Sequence, residues 1–167
     1  SDKSIHLQAA HDGYKTYFYQ ELPMISQSKE IVNAFEVTKY QTLGSEMVGR
    51  VGFMVKSINA LSNKDVRVSK RLYIPQSRLR GFESGKVGPI QNFDFVGGNF
   101  ISTMNLSTTL PQVLPSFQNV DIALFFDVAN IWGVDYDSSI DKSKIRSATG
   151  ISLDLTTPIG PLNFSLS

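Results

Sequence analysis

The feature that most limits what this chain can fold into is a period of two. Between Asn99 and Leu110, Phe100, Met104, Leu106 and Leu110 take even positions while Thr103, Asn105, Ser107 and Thr109 take odd ones, with Ile101 and Ser102 breaking the pattern. In an extended strand this alternation makes one apolar face and one polar face. From Asp121 to Trp132, Ile122, Leu124, Phe126, Val128 and Trp132 share a face; Asp121 and Asp127 fall on the other, beside the small Ala123 and Ala129. Ile145 to Thr157 repeats the arrangement, with Ile145, Ile151, Leu153 and Leu155 against Arg146, Ser152 and Asp154. Met47 to Ile58 sets Met47, Val51, Phe53 and Val55 against Arg50 and Lys56, and the last residues set Leu162, Phe164 and Leu166 against Asn163, Ser165 and Ser167. Tyr14 to Met24 and Glu30 to Thr42 are mixed in pattern and bring the count to about seven strands. Helical spacing is scarce, so the expected class is all-β.

The connections sort by length. Leu43 to Glu46 and Pro158-Ile159-Gly160-Pro161 are tight turns, whereas Asn59 to Gly98 is a forty-residue gap and Gly133 to Lys144 spans twelve. With antiparallel strands the two tight turns share one end and the two long loops the other, and Pro111 to Val120 is a longer turn on the tight side. Transmembrane β-barrels have short turns at one end, long loops at the other, strands near ten residues and an apolar outer face. A soluble β-sandwich carries the same alternation, so pattern alone leaves both architectures open.

Composition removes several functions. Sixteen Lys and Arg against fifteen Asp and Glu give a net charge of +1, without a basic block to follow a phosphate backbone, so nucleic acid is not an expected partner. With no cysteine there is no disulfide, thiolate nucleophile or Cys-based zinc site. The longest apolar run, Ile122 to Phe126, is five residues and cannot form a spanning helix. Ser1-Asp2-Lys3-Ser4 leads into no signal-peptide core. His6 and His11 stand near the N-terminus without acid or thiol at metal-ligand spacing, and read as solvated. Asp135, Asp137 and Ser139 begin like a calcium loop, but Ile140 replaces the turn glycine and Arg146 the closing Glu, so no metal is expected. No serine lies in a Gly-x-Ser-x-Gly elbow. The acids Asp121, Asp127 and Asp154 are expected to pair with Arg80, Arg146, Arg50 or water rather than to act as catalytic carboxylates. Trp132 and Tyr136 are candidates for an aromatic girdle, and the basic stretch Lys64 to Arg71 reads as a solvated loop.

One stretch of the long gap asks for a reason: SRLRGFESGKVGP, from Ser77 to Pro89, has neither helical nor strand pattern. Leu79-Arg80-Gly81-Phe82 followed by Gly88-Pro89, Val96-Gly97-Gly98-Asn99 opening the next strand, and Phe125-Phe126-Asp127 with Trp132 form an ordered series. It continues with Arg146-Ser147 and Gly150, then Thr157-Pro158-Ile159-Gly160-Pro161-Leu162 with Phe164. In this series the chain resembles the outer-membrane insertases typified by BamA and TamA, over roughly its second half. The resemblance implies that the long loop folds back into a barrel lumen and that Arg80 of an Arg-Gly-Phe motif pairs with Asp127 on the inner wall. Alternation separately places Asp127 on the polar face, where a guanidinium can bind it bidentately. Gly81 then permits a tight backbone turn and Phe82 supplies apolar anchorage, with Gly88, Pro89, Gly97, Gly98, Ser107, Trp132 and Arg146 as supporting positions.

The chain departs from the family pattern at two places. Ser107 stands where a second acid is common, and Ile74-Pro75 where a glycine pair is common. The resemblance further implies that residues 1–167 are part of a barrel of about sixteen strands, with an inward loop at about 59–98 and with the periplasmic repeats and the final strand lying outside this sequence. The expected function is insertion and assembly of β-barrel proteins in the Gram-negative outer membrane. No enzymatic activity and no cofactor are expected. The expected partners are outer-membrane lipid, nascent β-barrel clients and accessory lipoproteins. A translocation or assembly pore of the same superfamily, as in two-partner secretion or TamA-like proteins, is the alternative function; a soluble β-sandwich binding module is the third.

Overall fold

The computed structural model describes residues 3–11, 13–22, 30–44, 47–61, 65–67, 70–83, 85–110, 119–140 and 144–167. The strands are β1 (Lys3–His11), β2 (Tyr14–Leu22), β3 (Glu30–Thr42), β4 (Val48–Ala60), β5 (Ile90–Gln91), β6 (Asp94–Phe95), β7 (Phe100–Thr109), β8 (Val120–Trp132), β9 (Arg146–Thr157) and β10 (Gly160–Leu166). Eight of them form one sheet in the order β1-β2-β3-β4-β7-β8-β9-β10, while β5 and β6 pair as a hairpin within the long loop. Every neighbouring pair is antiparallel. All seven strands read from the alternation are present, and β1 precedes them. The meander puts the C-terminal end of β3 and the start of β4 at the same end as Pro158-Ile159, and the described residues of 61–99 and 133–145 at the opposite end.

Register sorts the side chains onto two faces, because directly paired residues project to the same side. Lys39, Val51, Leu106, Phe126 and Thr149 form one row across five strands; Thr38, Gly52, Asn105, Asp127 and Ala148 form the row of the opposite face beside it. The first face carries Phe35, Val51, Phe53, Met104, Leu124, Phe126 and Ile151, all exposed, with no second sheet against them among the described residues. That arrangement removes the β-sandwich reading, in which two apolar faces would pack together. The other face holds every charge of strands β2 to β10 in this sheet except Lys39, and described residues of the loop 61–99 cover its loop end. We call these faces outward and inward.

The apolar core lies between the loop and the inward wall. Ile58, Ile101, Ala129 and Ile131 of the wall pack with Val66, Leu72, Ile74, Leu79 and Val87 of the loop, and Phe82 packs against this cluster. Burying Leu79 to 1% exposure is worth about 1.5–3 kcal/mol. The inward face therefore alternates in function along each strand, apolar near the loop end and polar toward the turn end.

Candidate functional site

The loop descends onto the wall through a short 3-10 turn, Gln76–Arg78, set up by Pro75 at φ −62°. The Arg78 N–H donates to the Pro75 carbonyl at 2.9 Å, and the next residue, Leu79, plugs the core. Arg80 then meets Asp127 of β8. Its Nε donates to Asp127 Oδ2 at 2.7 Å, its Nη2 to Oδ1 at 2.8 Å, and its backbone N–H to Oδ2 at 3.1 Å. This is the two-pronged geometry that a guanidinium offers a carboxylate, reinforced by a main-chain donor. Asp127 is 0% exposed, so its charge depends on these donors.

The neighbouring strand completes the set. Asn105 sits directly across from Asp127 in register, and its amide nitrogen donates to Asp127 Oδ1 at 2.9 Å and to the Arg78 carbonyl at 2.8 Å. One side chain thus ties the wall carboxylate to the loop backbone. The Arg80 guanidinium carbon lies 3.8 Å from the centre of the Phe125 ring, a cation over an aromatic face. Phe125 has room because Gly150, its partner on β9, lacks a side chain: an added Cβ there would come within 2.9 Å of the ring. Gly81 takes φ +86°, a left-handed conformation that glycine adopts without steric cost, and this turns the loop beside Arg80. On the other side of the descent, Arg78 forms an ion pair with Glu36 of β3.

A second cluster stands nearer the loop end. The Arg71 side chain is fully buried, and its guanidinium donates to Asn99 Oδ1 at 2.9 Å, to the Val66 carbonyl at 3.2 Å and to Asp135. Asp135 also accepts from the Val66 N–H at 2.8 Å. Tyr136 lies under the guanidinium, 4.5 Å from its ring centre, and donates its hydroxyl to Gln91 at 2.8 Å. Burial alone would raise the Asp135 carboxyl, but the Val66 N–H, the Asn99 side chain and the Arg71 charge outweigh it and hold the group below its ordinary value. Two sequence expectations are corrected here. Arg71 is not part of a solvated stretch, because the Val66 carbonyl, the Asn99 side chain and Asp135 engage its two Nη groups inside the fold. Tyr136 is not a girdle residue, because its ring and hydroxyl are both engaged by the loop.

The remaining expected positions are scattered around these clusters. Gly88 has φ +119° and a Cβ there would stand 2.8 Å from Ile131 Cγ2, so the loop backbone lies flat on β8 at that point. Pro89 is fully buried, and its carbonyl accepts from the Val96 N–H at 3.1 Å. Gly97 is buried beside Gly98, which exchanges backbone hydrogen bonds with Leu72 at 2.9 and 3.0 Å. Trp132 projects outward and stacks on Phe100, with ring centres 5.7 Å apart. Ser107 is inward, opposite Arg50 and Phe125 in register, and does not join the Arg80 cluster. Arg146 is exposed at the start of β9, opposite Ala129, and is also outside the cluster. Asp121 and Asp154 face each other across β8 and β9; Asp154 accepts from Asn163, and among the described residues neither acid has an arginine partner. Asp135 and Asp137 do not converge: Asp137 accepts from the N–H and hydroxyl of Ser139 in a local turn.

Asn105 and Arg71 are the site residues that sequence reasoning missed. For Asn105 a signal existed, since folding the chain about residues 111–120 brings it opposite Asp127 to within a residue. For Arg71 there was none, as its side-chain partners lie 28 and 64 residues away in sequence.

Comparison with known proteins supplies the family. The chain is 28% identical over 115 residues to the outer membrane protein assembly factor BamA of Neorickettsia risticii (strain Illinois), an overlap covering 66% of this chain and 15% of that protein. Its structure is similar to the crystal structure of BamA from Haemophilus ducreyi lacking POTRA domains 1–3, with a TM-score of 0.78, 25% identity, and coverage of 92% of this chain and 34% of that one. The chain therefore spans about a third or less of the length of these relatives. Residues 7–167 match the Omp85 superfamily domain, and with the eight-stranded meander and its inward loop this chain belongs to the Omp85 superfamily.

Proposed function

We propose that this chain is the loop-bearing part of an outer-membrane barrel that inserts and folds other β-barrel proteins in a Gram-negative envelope. The observation that carries the reading is the Arg80–Asp127 pair, which fastens a long loop to the inward wall of a sheet whose outward face is apolar and unpartnered. Closure of the sheet by further strands makes the inward face a lumen and leaves the outward face to lipid. In this reading residues 59–98 fill the lumen, and Arg80, Gly81, Phe82 and Asp127 act as their tether. Gly88, Pro89 and Asn105 seat the loop against the wall. The work is conformational: client strands add to a barrel edge, without a catalytic residue or a cofactor. Client barrel proteins and accessory lipoproteins are the partners.

The test is a double-mutant cycle in the full-length parent protein, with Arg80→Ala, Asp127→Ala and the pair, read by heat-modifiable barrel migration and by client barrel levels in the membrane. We expect both single variants to be defective and the double to add little, because the two residues form one unit. Additive effects, or wild-type client levels in all three variants, would refute the tether.

A further inference from the structure

The outward face from β2 to β10 carries one charge. Following the register from Tyr14 across to Leu166, every acidic or basic strand residue projects inward except Lys39. Lys39 stands three residues before the turn that ends β3, beside Tyr14, with its ammonium 5.1 Å from the centre of that ring. Among the described residues it has no carboxylate partner. An ammonium on an otherwise uncharged apolar face is expensive unless it meets an anion or reaches the polar boundary.

Next to it the apolar surface is indented. An open trough of about 420 Å³ crosses β3, β4, β7 and β8, lined by Gly49, Val51, Leu106, Thr108, Leu124 and Phe126, with Lys39 and Gln41 at one end. The indentation comes from the sequence: Gly49 has no side chain, and its neighbours in the row, Gln41 and Thr108, are polar or short. The volume is in the range of about 300–1,000 Å³ that holds small ligands. Its chemistry has two parts, a long apolar groove and a single cation with an adjacent phenol at the turn end. A glycerophospholipid has the same two parts, an acyl chain and a phosphate.

We propose that this trough is a discrete phospholipid seat, with the phosphate on Lys39 and Tyr14 and one acyl chain along the groove floored by Gly49. The inference rests on the membrane reading above and adds a specific bound lipid to it. The seat lies at the turn end of the sheet, so the lipid belongs to the leaflet on that side. It would fix one lipid across five strands of the wall, at the level where the barrel meets the headgroups.

The experiment uses the full-length parent protein, delipidated in detergent and titrated with palmitoyl-oleoyl phosphatidylglycerol, with bound lipid counted by native mass spectrometry. We expect one tightly held lipid on the wild type. Lys39→Gln should bind it about fivefold more weakly, the loss associated with one interfacial lysine. Gly49→Val, whose side chain enters the groove and pushes aside the Leu43 side chain that reaches over Gly49, should weaken it as well, while Lys56→Gln, which removes an inward cation, should leave it unchanged. Equal binding by the wild type and Lys39→Gln, an equal loss in Lys56→Gln, or no retained lipid on the wild type overturns the seat. Heat-modifiable migration of the wild type in native membranes is read in parallel: its loss counts against the membrane reading, whereas its presence with unchanged lipid binding in Lys39→Gln counts against the seat alone.

Discussion

Removing either member of the Arg71–Asp135 pair should loosen the loop, but by unequal amounts. The Arg71 side chain is 0% exposed and that of Asp135 27%. Asp135→Asn keeps the shape and deletes the negative charge, leaving a buried guanidinium with neutral acceptors only, the new amide oxygen, Asn99 Oδ1 and the Val66 carbonyl, and the Tyr136 ring. An uncompensated buried charge costs about 3–5 kcal/mol. Arg71→Met keeps most of the stem volume and leaves a carboxylate that still accepts from the Val66 N–H and reaches solvent, a loss of about 1–3 kcal/mol. From the midpoints of these ranges the two variants should differ by about 2 kcal/mol in local opening, roughly a thirtyfold difference in the open population. Hydrogen exchange of residues 70–75 in the full-length parent, with intrinsic rates corrected, measures that population directly. If Arg71→Met opens the loop as much as Asp135→Asn or more, the reasoning from burial is wrong.

The same pair should respond to acid. The folded Asp135 carboxyl titrates below its unfolded value of about 3.9, so its stabilisation is complete above that value and disappears as pH falls through the lower folded one. Loop exchange should be flat from neutral pH to about 5 and rise below about 4, and Asp135→Asn should flatten the rise. Gly88→Ala should destabilise the loop by about 1–3 kcal/mol, since it combines φ +119° with contact on Ile131, whereas Gly85→Ala, with φ +73° and open space, should be milder; thermal unfolding of the parent separates them. Phe126→Lys on the outward face should cost about 2–4 kcal/mol in lipid and little in the inward Ser107→Lys, a contrast readable from urea unfolding in vesicles. Asn105→Asp should lower barrel stability more than Asn105→Ala, because a second carboxylate beside buried Asp127 removes a donor and adds repulsion; heat-modifiable migration against temperature reports the order of the two variants.

Strand positions were legible because a sheet with one apolar face imposes a period of two, and a one-residue slip would turn every side chain over. That is why Asp127 could be placed inward from Ile122, Leu124, Phe126 and Val128 alone, before any partner was known. β1 carries a shorter form of the same signal, Ile5, Leu7 and Ala9 alternating with Ser4, His6 and Gln8, which Ala10 and His11 do not continue. The loop was less legible, since its backbone follows no period and its side chains take their burial from distant partners. Tyr136 and Arg71 show the consequence: each has the composition of surface, and each is fixed by residues on other segments.

What gives this aperiodic loop one conformation is the interleaving of cations and apolar plugs. Arg71, Arg78 and Arg80 reach acids on three different segments, Asp135 after β8, Glu36 on β3 and Asp127 on β8. Between and beside them Leu72, Ile74 and Leu79 enter the core. Apolar plugs alone are non-directional, and sliding the loop by a residue or two would cost little in buried area. A slip that carried Arg80 away from Asp127 would leave a fully buried carboxylate with only the Asn105 amide, and would strand Arg71 at the same time. The ion pairs thus select the register and the apolar contacts hold it. Since Arg78 is two residues from Arg80 and its acid lies on a strand three places away in the sheet, the descent is fixed at two separated points of the inward wall at once.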